Sequence, residues 1–416
     1  MAEMIELKEQ EERVILFAVS TDDGDDTEAS VQELEELVAT AGAVTVGTII
    51  QNRERIHPGT YLGKGKIEEL KELIAEREAT GVVCDDELSP AQLRNLEDLL
   101  EAKVMDRTMV ILDIFAARAR TREGKIQVEL AQLKYRAVRL VGLRASLSRL
   151  GGGIGTRGPG EKKLEVDRRL IHERIGLLKA ELSDVERHRG LARSQREKSG
   201  TLTAAIVGYT NAGKSTLLNR LTQAGILAED KLFATLDPTT RALTLPGGEK
   251  ILLTDTVGFI RKLPHHLIEA FKSTLEEAKY CDVILHVVDC SNPQMDVQMH
   301  VVYETLRMLD IKDKEIVTVF NKIDREGADG TCRDMVSDYR VKLSAKTGEG
   351  LDSLLETLES ILRNRRIYFE RVFSYENAGK IQKIRKGGQV LSEEYREDGI
   401  HVTAYVPVEL FAELCR

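Results

Sequence analysis

Gly208-Tyr209-Thr210-Asn211-Ala212-Gly213-Lys214-Ser215 has the G-x-x-x-x-G-K-S spacing of a phosphate loop. The residue types follow from the chemistry. Glycines let successive backbone N–H groups curl round a polyphosphate, a lysine reaches the β/γ-phosphates, and a hydroxyl ligates Mg²⁺. The segment follows the apolar run Ala204 to Val207 and opens a helical pattern at Thr216 to Leu221. A helix N-terminus there adds partial positive charge. Lys214 is the expected phosphate contact and Ser215 the expected metal ligand.

The phosphate loop alone does not separate ATP from GTP. Asn321-Lys322-Ile323-Asp324 does, because it follows the strand-like run Ile316 to Phe320, where a loop can meet a base. An aspartate matches the N1–H and exocyclic amine of guanine, a donor pair that adenine lacks. Asn321 can meet guanine O6/N7, the Lys322 stem can lie along the ring, and Ser344-Ala345-Lys346 can offer a backbone N–H to O6.

Asp255-Thr256-Val257-Gly258 follows another strand-like run, Ile251 to Thr254. Asp255 is expected to hold Mg²⁺ through water, and the Gly258 N–H to reach the γ-phosphate. Between the two motifs lies Phe233-Ala234-Thr235-Leu236-Asp237-Pro238-Thr239-Thr240-Arg241. A threonine there can ligate Mg²⁺ while the γ-phosphate is present, and release on hydrolysis makes a two-state switch. Several threonines compete, and Thr235 is favoured. Catalysis is thus expected to rest on Lys214, Thr235 and Gly258. Phe259 stands where a Ras-like switch carries a water-orienting glutamine, so intrinsic hydrolysis should be slow. His265 and His266 read as surface residues.

These loops need a parallel sheet to hold them. Residues 201–365 alternate strand and helix and are expected to form a P-loop domain with a mostly parallel sheet. Residues 1–117 also alternate strand-like runs (Val14 to Val19, Ala43 to Ile50, Gly81 to Asp85, Lys103 to Asp106) with amphipathic helices, predicting an N-terminal parallel α/β domain. In 118–200, apolar residues recur at helical spacing on both sides of a Gly151–Gly160 stretch, predicting a long antiparallel helical hairpin with a glycine-rich tip. Residues 366–416 read as a small C-terminal α+β domain, with strands at 367–373 and 399–406.

At 416 residues, roughly 150 per domain predicts about three domains. No apolar run approaches the roughly 18–20 residues of a membrane span. Cys84, Cys281, Cys290, Cys332 and Cys415 are scattered without a C-x-x-C pair, as expected of reduced thiols in a cytoplasmic chain. The net charge of −9 hides an asymmetry. Arg118 to Lys198 carries 21 Lys+Arg against 10 Asp+Glu, a net of +11, which leaves −20 for the rest. A basic hairpin in an acidic chain is a candidate RNA-binding surface, with an exposed Arg157 at its tip. Gly63-Lys64-Gly65-Lys66 lacks the full phosphate motif and reads as a turn opening a helix.

The set GYTNAGKS, FATLDPTTR, DTVGF, NKID and SAK, in this order, resembles a translation-factor-class bacterial GTPase. With PGTYLGKGKIEEL (Pro58 to Leu70), CDDELSPAQLRNLE (Cys84 to Glu97) and the GGGIGTRGPGE tip, the chain is similar to the HflX family over essentially its whole length. The resemblance implies a ribosome-associated GTPase, with GTP/GDP and Mg²⁺ at its site, that binds the large (50S) subunit. It also implies splitting of stalled or idle ribosomes under stress. The family's N-terminal region is associated with ATP binding and RNA unwinding as well. A monomer is expected. Two other readings stand beside this one: an RNA-binding assembly or hibernation factor whose GTPase times release, and an ATP-driven RNA remodeller using the N-terminal domain.

Overall fold

Val14 to Val19 is too continuously apolar for a strand with one wet face. It lies in β1 (Arg13–Ser20), buried from Val14 to Val19, inside a parallel sheet of order β2-β1-β3-β4. The other strands are β2 (Val44–Asn52), β3 (Gly81–Cys84) and β4 (Lys103–Asp106). Helices α1 (Thr27–Ala41), α2 (Lys64–Arg77), α3 (Pro90–Leu100) and α4 (Arg107–Arg118) follow the strands in turn. Ile15, Phe17, Val82 and Cys84 share one core with Ile67, Leu70, Leu96 and Leu100. Helix α3 starts where it does because Pro90 sits in its first turn and Ser89 and Gln92 form a reciprocal capping box.

This computed structural model describes residues 11–21, 26–150, 159–198, 201–222, 232–264, 267, 275–328, 332–406 and 408–414. The glycine-rich tip with Arg157, and His265 and His266, lie outside the described residues. The chain divides into two compact units. The first is Met1–Val185 with Glu229–Asp237 and Arg261–Lys272; the second is Glu186–Ala228 with Pro238–Ile260 and Ser273–Arg416.

The hairpin consists of α5 (Arg122–Leu150) and α6 (Pro159–Lys198), with α6 passing from the first unit into the second at Glu186. Its seam is a small core of Ile126, Leu130 and Leu178, with Leu133, Ile175 and Leu182 packed against it. Arg122–Glu181 and Arg174–Glu129 ion pairs flank the seam, so part of the basic charge is met within the hairpin.

The second unit holds a six-stranded sheet of order β10-β9-β8-β5-β7-β6. Its strands are β5 (Thr203–Gly208), β6 (Thr239–Thr244), β7 (Lys250–Asp255), β8 (Val283–Asp289), β9 (Glu315–Asn321) and β10 (Tyr339–Lys342). All pairings are parallel except β6 with β7. Helices α7 (Lys214–Thr222), α8 (Met295–Met308) and α9 (Leu351–Asn364) belong to the same unit.

The tail is a three-stranded antiparallel sheet, β11 (Ile367–Phe373), β13 (Gly399–Val406) and β12 (Gln389–Arg396), in that spatial order. It carries α10 (Ala378–Gly387) and α11 (Val408–Leu414). Strand β12 was not expected from the sequence. It is an edge strand, paired on one side only, and most of its residues are exposed and polar, so it lacks the apolar run that marks a buried strand.

Candidate nucleotide site

In the six-stranded sheet β5 lies between β7 and β8, and β8 is followed by β9 and β10. Five parallel strands therefore release their next loops from one carboxyl edge, the place where open α/β sheets bind ligands. Gly208–Ser215, Asp255–Gly258, Asp289, Asn321–Asp324 and Ser344–Lys346 all leave from that edge.

Lys214 is buried, at 7% exposure, and its Nζ donates to the Tyr209 carbonyl at 2.7 Å. Burial pushes its pKa down to about 8; the Asp255 carboxylate opposes that shift and the charge of Lys322 adds to it. Ser215 Oγ donates to Asp255 Oδ2 at 2.7 Å, and Asp255 is fully buried. A hydroxyl backed by a buried carboxylate is a hard-oxygen pair suited to Mg²⁺. Thr256 Oγ1 donates to the Ile206 carbonyl at 2.8 Å and anchors the start of the D-x-x-G turn.

That turn is stitched to the phosphate loop. Phe259 N–H donates to Gly208 O at 3.1 Å, and Thr210 N–H donates to Phe259 O at 2.8 Å. The Phe259 ring itself is 2% exposed, so the residue is a buried anchor as well as a missing glutamine. A Cβ on Gly258 would lie 2.8 Å from Thr210 Cγ2 and 3.0 Å from Lys214 Nζ. Thr210 Oγ1 is buried without a hydrogen-bond partner among the described residues, a state that a bound phosphate oxygen would relieve.

The base loop is tied to the phosphate loop by side-chain hydrogen bonds. Asn321 is 1% exposed; its Nδ2 donates to Ala212 O at 2.8 Å and its Oδ1 accepts from Ala345 N–H at 2.9 Å. Ser344 N–H donates to Glu349 O, so of Ser344, Ala345 and Lys346 only the Lys346 N–H has no bond among the described residues. Lys322 Nζ reaches Asn211 O at 2.7 Å and Asp289 at 2.7 Å, which holds its backbone at φ 66°. Asp324 is exposed and accepts from Ser344 Oγ at 2.6 Å; that bond holds its carboxyl below the usual range. Ile323 is half-buried beside it. Asp289 escaped the sequence reading. Its signal is an acidic residue ending the apolar run Val283 to Val288 on the carboxyl edge.

Phe233, Ala234, Thr235, Leu236 and Asp237 fold with the first unit. Phe233 meets Phe115 edge-on at 4.7 Å between centroids, and Leu236 is buried. Asp237 accepts Arg120 N–H and Thr121 N–H, both at 3.0 Å, just before α5. In the same unit Lys262 pairs with Asp85 at 2.6 Å and Asp86 at 2.8 Å.

Three family models match in tandem: GTP-binding GTPase N-terminal over 28–116, GTP-binding GTPase Middle Region over 118–196, and 50S ribosome-binding GTPase over 203–322. The chain is 76% identical over 414 residues to GTPase HflX of Lacrimispora saccharolytica, covering 100% of this chain and 98% of that protein. It is 51% identical over 409 residues to GTPase HflX of Caldanaerobacter subterraneus subsp. tengcongensis, covering 98% and 94%. The crystal structure of a GTP-binding protein from Sulfolobus solfataricus in complex with GDP is 24% identical, with a TM-score of 0.45, over 85% of this chain and 99% of that one. Full-length identity at this level, on a chain whose phosphate and base loops leave one sheet edge, shows that the protein belongs to the HflX family of GTPases.

Proposed function

We propose that the chain is a Mg²⁺-dependent GTP switch that binds the large ribosomal subunit and splits stalled or idle ribosomes, with hydrolysis timing its release. Lys214 neutralises the β/γ-phosphates, Ser215 and Thr235 ligate the metal, and Asp255 acts behind Ser215 through water. Mg²⁺ held there would supply positive charge to offset that of the phosphates. The Gly258 N–H reads the γ-phosphate. Asp324 takes the guanine N1–H and amine, and the Lys346 N–H meets O6. The basic hairpin supplies the affinity for RNA phosphates.

The observation that carries this reading is that the phosphate loop, the D-x-x-G turn and the base loop leave one carboxyl edge of a single sheet. Gly208–Ser215, Asp255–Gly258, Asn321–Asp324 and Ser344–Lys346 all fold with the second unit. The family description "50S ribosome-binding GTPase" supports the choice of partner. Sedimentation of intact ribosomes with the protein and GTP, GDP or a non-hydrolysable analogue tests it. Subunit separation should require the triphosphate state; intact ribosomes in every lane would remove the splitting claim.

A further inference from the structure

We propose that a cavity in the first unit, between the start of α3 and the two hairpin helices, seats one unstacked nucleotide of an RNA strand. This deepens the RNA-binding reading of the hairpin and rests on it. The cavity has a volume of about 660 Å³, within the roughly 300–1,000 Å³ that holds one small organic ligand. Its walls are apolar: Leu88 and Pro90 from the start of α3, Ala137 and Val138 from α5, Ile175 from α6. Lys134, His172 and Lys179 line it as well, and Glu87 is its one carboxylate.

A flat polar platform completes it. The Arg139 guanidinium lies over the Tyr135 ring at 3.9 Å. Both are fixed by Asp106, which is fully buried: Arg139 Nη2 donates to it at 2.7 Å and the Tyr135 hydroxyl at 2.6 Å. Asp106 also accepts the Leu88 N–H at 3.1 Å, so the same carboxylate sets the cavity's wall and its platform. With its charge met by Asp106, Arg139 offers a planar surface for stacking rather than a free cation. Lys134 and Lys179 then stand one on each hairpin helix to meet the flanking phosphates.

Apolar walls, a guanidinium plane and separate cations are the elements with which proteins hold single-stranded bases. A duplex keeps its bases inside, so only a loop, bulge or single strand can fill such a slot. A free polyphosphate would instead call for clustered backbone N–H groups, and the cavity's lining has no glycine.

The chain has no tryptophan, so Val138→Trp, at a position 63% exposed, places a sole indole in the cavity wall. A short single-stranded RNA should quench it saturably, and the matching duplex at least about tenfold more weakly. Lys134→Gln and Lys179→Gln in that background should each weaken binding about threefold to tenfold and lower the salt slope by about one. No quenching, or equal quenching by duplex, overturns the proposal. In the unsubstituted chain, photocrosslinking to 4-thiouridine RNA should mark the 134–139 or 172–179 peptides; adducts only elsewhere also overturn it. Sedimentation with large subunits run in parallel separates the two readings. Ribosome binding without a cavity adduct sinks only the cavity, and a cavity adduct without ribosome binding sinks only the choice of ribosome.

Discussion

Asn321 donates its Nδ2–H to the carbonyl of Ala212 across 2.8 Å, tying the base loop to the phosphate loop. The other end of the same amide accepts the Ala345 N–H, so one buried side chain joins three loops from three strands. Gly213 is part of the arrangement: at φ 96° it places its missing Cβ only 2.3 Å from Asn321 Nδ2. Base recognition and phosphate grip are therefore built as one object.

Asn321→Ala should break that object. It leaves the Ala212 carbonyl and Ala345 N–H unpaired, at about 1–3 kcal/mol each. Guanine-nucleotide affinity should fall at least about tenfold and the melting temperature by several degrees, at roughly 2–4 °C per kcal/mol. A fluorescent-GDP titration checks it; affinity within about threefold of the parent would show that the strut is dispensable.

Gly258→Ala should separate the two nucleotide states. The added methyl meets Thr210 Cγ2 at 2.8 Å and Lys214 Nζ at 3.0 Å, the corner where a γ-phosphate would be read. Binding of a non-hydrolysable GTP analogue should drop at least about tenfold more than binding of GDP. Equal losses for both would place Gly258 away from the γ-phosphate.

Phe259→Gln is the change that sequence analogy would try in order to speed hydrolysis. The structure argues against it. The ring is 2% exposed and its backbone clamps Gly208 and Thr210, so glutamine would bury an amide in an apolar site. The expected result is a loss of about 2–4 kcal/mol of stability with no gain in single-turnover hydrolysis. A hydrolysis rate raised tenfold or more in a well-folded variant would refute this.

The contrast marks what was legible in the sequence. The phosphate loop, D-x-x-G and N-K-x-D could be read because each follows an apolar strand and has fixed spacing. The buried strands Val14–Val19 and Val283–Val288 were legible as apolar runs. What side chains do inside the site was not. Asn321 reads as a base contact by type; its burial and its bonds to Ala212 and Ala345, which make it a strut between loops, do not show in local spacing. Asp237 looks like part of a nucleotide loop, yet its carboxylate holds the backbone at Arg120 and Thr121, more than a hundred residues earlier. Such pairings are set by topology, which local spacing does not encode. Edge strand β12 was missed for the reverse reason, since it has no buried face to write a pattern.

Lys214 predicts a proton-coupled binding step. Its pKa of about 8 reflects burial, and a polyphosphate at Nζ would raise it. GDP binding at about pH 8.5 should then take up on the order of 0.7 proton, and affinity should fall about tenfold per pH unit above about 8. Calorimetry in buffers of different ionisation enthalpy measures the uptake. Buffer-independent heats, or the same uptake in Lys214→Gln, would remove Lys214 as the titrating group.

His286 sets an acid limit on the second unit. It is 1% exposed, its Nδ1 has no hydrogen-bond partner among the described residues, and its ring meets Tyr303 edge-on at 4.9 Å. Burial pushes its pKa down to about 4; the Asp334 carboxylate opposes the shift and Lys214 adds to it. Because the folded pKa lies below the unfolded value of 6.5, the unfolded chain binds more protons between them. The stability it carries is full above about pH 6.5 and is lost as pH falls toward about 4. Between about pH 7 and pH 5 that is roughly 2 kcal/mol. His286→Phe keeps a ring against Tyr303 and removes the titration, so its urea midpoint should decline less over that range than the parent's. Parallel pH profiles for the two proteins would mean that other groups, Asp334 among them, set the acid limit.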